Sequence, residues 1–129
     1  MYKITITVAQ YIKKRCNMVE KWNEEKFKKE VYNKGRLAGV EFYSDTCPAC
    51  RTLGVILDRV SERYADSMTF GKVSVEEEEG LAEKFAIRSV PTFMVFAEGR
   101  GVAEQVGAVG QRELTSVIDR AMEKAEGKK

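Results

Sequence analysis

The chain has 129 residues, 43% of them hydrophobic and 33% charged, which is the material for one core in one soluble globular domain. Its formal net charge of +2 is too small to argue for nucleic acid or a membrane surface as a partner. Three cysteines cannot close a disulfide framework, and the chain holds no apolar run of membrane-spanning length, so a reducing, cytoplasmic setting is expected.

Residues 1–17 form an N-terminal extension in which Ile4, Ile6 and Val8 alternate with Lys3, Thr5 and Thr7. That alternation suits a half-buried strand, but the segment reads equally as a mobile extension or as sequence upstream of a start at Met18. The basic residues Lys13, Lys14 and Arg15 follow the apolar stretch, the reverse of a secretory signal. A domain is expected over residues 18–126, with a polar tail at 127–129. Val19 to Trp22 reads as a short strand. Asn23 is placed to cap a helix that carries Glu24 and Glu25 in its first turn and runs to about Asn33, with Gly35 ending it. Arg36 to Tyr43 is a strand, Pro48 to about Ala65 a long helix, and Met68 to Val75 the next strand. The acidic run Glu76 to Glu79 leads into a short helix through Leu81, Ala82 and Phe85, and is read as a solvated helix start rather than a metal or docking site. Phe93 to Ala97 is an apolar strand. Glu98-Gly99-Arg100-Gly101 is a turn with glycines for positive φ, and Val102 to Val106 pairs back as a hairpin. Gln111 to Glu126 is an amphipathic helix with Leu114, Val117, Ile118 and Met122 inward. The order β-α-β-α-β-α-β-β-α implies an α/β fold, a central mixed sheet flanked by helices on both faces.

The chemistry concentrates at Cys47-Pro48-Ala49-Cys50, between the apolar run Gly39-Val40-Glu41-Phe42-Tyr43 and the long helix. Cys47 is expected at the first helical turn, where free N–H groups and the positive end of the helix dipole stabilise a thiolate. Thiolates, not thiols, attack disulfides, and Pro48 suits a turn that needs no N–H.

This arrangement resembles the thioredoxin family over about Met18 to Ala125. The resemblance rests on the strand–CxxC–helix unit and on Ser89-Val90-Pro91-Thr92-Phe93, which is similar to the family's cis-proline loop. It rests also on Phe96-Ala97-Glu98-Gly99 at the hairpin, Val106-Gly107-Ala108 before the last helix, and Lys72 at the family's buried lysine. Three departures stand out. Thr46-Cys47-Pro48-Ala49-Cys50 replaces Trp-Cys-Gly-Pro-Cys, giving a glutaredoxin-like dipeptide that bears on the redox potential. Glu41 stands in place of a buried aspartate. Gly54-Val55 replaces the proline that kinks the active-site helix.

The resemblance implies a thioredoxin fold and a thiol–disulfide oxidoreductase that reduces protein disulfides with no bound cofactor. Its electrons would come from a thioredoxin reductase or similar donor, and the protein would work as a monomer. Cys47 is the expected nucleophile and Cys50, one turn on, the resolving thiol. Glu41 is the expected base for Cys50, its carboxyl made less acidic by burial, with Lys72 beside it pulling the other way. Thr46, Pro48, Ala49, Val90, Pro91 and Gly107 are expected to hold substrate, Pro91 in a cis bond that frees the Val90 N–H and C=O for an extended peptide. Rival readings are a glutathione-recharged enzyme and a thioredoxin-fold interaction module with little turnover. Residue by residue, the cysteine pair could be half a zinc site, although the chain has no histidine. Glu41 and Lys72 could be plain surface residues, and Cys16 an incidental thiol or a regulatory one.

Overall fold

The computed structural model describes residues 19–33 and 35–126, so the N-terminal alternation, Cys16, Met18 and the tail at 127–129 lie outside the described residues. The elements are β1 (Glu20–Lys21), α1 (Glu24–Val31), β2 (Leu37–Tyr43), α2 (Pro48–Arg63), β3 (Met68–Ser74), α3 (Glu79–Lys84), β4 (Thr92–Ala97), β5 (Arg100–Val106) and α4 (Gln111–Glu126). They follow the expected order, with ends within three residues of those expected. Asn23 caps α1 as its sequence suggests, its side chain accepting the Lys26 N–H at 2.8 Å.

Five strands form one sheet in the order β1-β3-β2-β4-β5. β1, β3 and β2 run parallel, whereas β4 is antiparallel to β2 and β5 to β4. β2 is therefore central and covered on both faces, which is why Gly39 to Tyr43 reads as a nearly unbroken apolar run. Its alternate residues serve two cores. Ala38, Val40 and Phe42 face a cluster with Trp22, Phe27 and Val31. On the other face Phe70, Phe93 and Val95 pack under Leu53, Leu57 and Val60 of α2 and Leu114 and Ile118 of α4. Gly39 belongs to this second face, because a Cβ there would lie 2.9 Å from the Phe93 ring. By period-2 alternation Glu41 shares that face, beneath α2.

The hairpin differs from expectation in one respect. The positive φ values fall on Glu98 (51°) and Gly99 (88°), so the turn is two residues long and β5 already begins at Arg100. Gly101 sits in the strand opposite Phe96, next to a register shift, where a side chain would meet Met94 at 2.8 Å.

Candidate active site

Cys47 is the N-cap of α2, with extended φ and ψ of −105° and 106° and Pro48 following in the first turn. Its Sγ accepts the Cys50 N–H at 3.1 Å, and its carbonyl accepts the Arg51 N–H at 3.3 Å. The Cys50 N–H is shared between this sulfur and the Cys47 carbonyl, also at 3.1 Å, so the sulfur draws on a donor of the helix start. Both thiols are free, Cys47 half-buried and Cys50 only 3% exposed. The Cys50 thiol is pushed up to about 12, first by burial and then by its hydrogen bond to Cys47, against the pull of a Ser44 backbone hydrogen bond. Cys50 therefore holds its proton until something removes it.

Glu41 lies in the same groove as Cys50, a cavity of about 370 Å³ also lined by Gly54, Asp58 and Lys72. It is 1% exposed, and its Oε2 has no hydrogen-bond partner among the described residues. Burial pushes the carboxyl up to about 7, against the pull of Lys72 and with a smaller push from Asp58. Desolvation wins over the lysine, and the reading of Glu41 as a solvent-facing strand residue falls. Lys72 stands opposite Glu41 in the parallel register. It is half-buried rather than buried, its ammonium 5.4 Å from the centre of the Tyr43 ring.

The second loop meets the first from β4. The Val90–Pro91 bond is cis and Pro91 is buried. The Pro91 carbonyl accepts the Gly107 N–H at 2.8 Å, at a residue with φ of +93°, and Thr92 Oγ1 donates to the Ser89 carbonyl at 2.8 Å. Gly107 thereby ties the proline loop to the end of β5. The Val90 carbonyl, expected to be free, receives the Cys47 thiol at 3.9 Å. This weak bond must yield before a peptide could pair there. Thr46, Pro48 and Ala49 are exposed beside the sulfur, and Val106 is 51% exposed beyond Gly107.

Sequence reasoning missed four residues. Ser44 Oγ donates to Glu76 Oε2 at 2.6 Å and lies 3.3 Å from Thr46 Oγ1, so a hydroxyl–carboxylate brace steadies the loop before Cys47. Nothing local in the sequence signals that pairing. Gly54 and Asp58 follow Cys50 at i+4 and i+8 on α2, a spacing that places all three on one helix face and could have revealed them. Among the described residues no group of three or more histidine, cysteine, aspartate or glutamate side chains could hold a metal ion. None of the helices described is long and apolar enough to cross a membrane.

Comparison with known proteins bears on the family and the fold. The family model described as Thioredoxin matches residues 18–120. The thioredoxin of Buchnera aphidicola is 31% identical over 103 residues, covering 80% of this chain and 95% of that protein. Thioredoxin 1 of Synechococcus elongatus is 33% identical over 94 residues, covering 73% and 88%. The crystal structure of Malassezia sympodialis thioredoxin superposes with a TM-score of 0.71 at 25% identity, over 80% of this chain and 90% of that one.

Proposed function

The chain belongs to the thioredoxin family, is a thiol–disulfide oxidoreductase acting on protein disulfides through its own cysteine pair without a bound cofactor, and from that premise we propose how its residues divide the work. Cys47 attacks a substrate disulfide as the thiolate, and one substrate sulfur leaves. Glu41 takes the proton of Cys50. The Cys50 thiolate then attacks Cys47 Sγ, the second substrate sulfur leaves, and Cys47–Cys50 remains as the disulfide for a reductase to recharge. The observation that carries this reading is Glu41, a buried carboxyl in the groove that Cys50 lines, with one oxygen unpartnered among the described residues, pushed up to about 7 where it can accept and release a proton near neutrality. Lys72 limits that rise.

Thr46, Pro48, Ala49, Val90, Pro91 and Gly107 form the docking rim. An extended peptide takes the Val90 backbone as a short strand addition, and docking through backbone hydrogen bonds accepts many sequences. In this proposal the protein works as a monomer. A free dithiol that must cycle suits the cytoplasm, and residues 18–126 act as one domain.

Trapping tests the assignment. Cys50→Ser should accumulate a mixed disulfide between Cys47 and an unfolded disulfide-bearing protein, and Cys47→Ser should capture none. Capture through Cys50 in the Cys47→Ser protein would reverse the roles. Full recharging by glutathione alone would replace the reductase with glutathione.

A further inference from the structure

Asp58 lines the catalytic groove and takes no part in the steps above. Cys50, Gly54 and Asp58 stand at i, i+4 and i+8 on α2 and all line the groove with Glu41 and Lys72. Two turns separate Cys50 from Asp58, about 12 Å along the helix axis. Between them Gly54 contributes no side chain. A Cβ there would lie 3.6 Å from Glu41 Oε1, so anything longer would fill the space beside the carboxyl. Cys50 and Glu41 are buried at the inner end, whereas Asp58 is half-buried. A groove of about 370 Å³ admits several waters. Glu41 Oε2, buried at the inner end, has no hydrogen-bond partner among the described residues.

We propose that Gly54 and Asp58 form the exit by which the proton taken from Cys50 leaves Glu41 for solvent. The proposal rests on Glu41 being the base. The Cys50 S–H bond breaks and its proton goes to the Glu41 carboxylate, while the sulfur keeps the electron pair and forms the bond to Cys47. The Glu41 carboxyl then passes the proton through water in the groove to the Asp58 carboxylate, which gives it to bulk water. Both carboxylates end as they began. The charged and titratable groups around them are Lys72 on β3, Cys50 on α2, Cys47 at its cap, Tyr43 further along β2, Glu62 one turn beyond Asp58, and Asp45 and Arg51 at the mouth. Lys72 faces both carboxyls and favours a negative charge on each.

The test reads protons and sulfur together. The reduced protein is mixed in stopped flow, in weak buffer at about pH 8, with the symmetric disulfide of nitrobenzoate thiol, whose thiolate absorbs visible light. The second thiolate release reports resolution, and a pH dye reports the proton. In the native protein and in Asp58→Glu the two should coincide. In Asp58→Asn the proton should lag the thiolate about tenfold or more, and added imidazole should close the lag. Gly54→Leu, which fills the path and keeps Asp58, should show the same lag and serves if Asp58→Asn does not fold. Coincidence in both variants overturns the exit, as does a lag that imidazole leaves unchanged. Glu41→Gln is run beside them. If it resolves as fast as the native protein, the base assignment fails; if it is slow while Asp58→Asn shows no lag, only the exit fails.

Discussion

Replacing Glu41 with glutamine should make the reduced protein more stable at alkaline pH while slowing its chemistry. The carboxyl rises from 4.5 to about 7 on folding. At about 1.4 kcal/mol per pH unit, holding Glu41 ionised in the fold costs about 3 kcal/mol. The sign follows from a raised value. Below about pH 4.5 the group is neutral in both states, and the stability its neutral form permits is fully present. Between about 4.5 and 7 the folded protein binds more protons than the unfolded chain, so stability falls as pH rises, and above about 7 the loss is complete. Glutamine has nearly the same shape and no charge. Urea unfolding of the reduced proteins should therefore give similar stabilities at about pH 4 and a Glu41→Gln advantage of about 3 kcal/mol at about pH 8.5. The other titrating groups are common to both proteins and largely cancel in the difference. An advantage that is the same at both pH values would refute the reasoning, because it would mean that Glu41 is not desolvated on folding.

Lys72→Met removes the charge that pulls Glu41 down, so the acid limb of the resolution rate should move to higher pH by up to about one unit; an unmoved limb would separate the two residues electrostatically. Gly71→Ala would place a Cβ 2.2 Å from the ring of Trp22, itself only 2% exposed, and should cost about 3 kcal/mol in urea unfolding while leaving the turnover of the folded fraction intact. The Cys47–Cys50 couple, equilibrated against dithiothreitol and glutathione buffers, should settle near about −270 mV, the value characteristic of thioredoxins, and a potential at or above about −200 mV would remove the net-reductant reading.

The sequence by itself determined the elements and the reacting pair. Periodicity, the Asn23 cap and the glycine-bearing turns are local signals, and they place α1, β2, α2 and the hairpin within a few residues of where they lie. Cys47 and Cys50 are likewise local, since one helical turn sets which sulfur caps the helix and which is buried under it. Burial and Lys72 were both legible as opposing influences on Glu41, but the balance between them was not. It depends on the order β1-β3-β2-β4-β5, which makes β2 central and puts α2 over one of its faces. Only that packing decides that burial outweighs the lysine opposite. Tertiary structure also decided that Lys72 is half-buried against Tyr43, and that the Val90 carbonyl meets the Cys47 thiol. It likewise gathered Gly54, Asp58 and Glu41 around one groove. Desolvation and charge pairing are sums over neighbours from distant parts of the chain, so no window of sequence contains them.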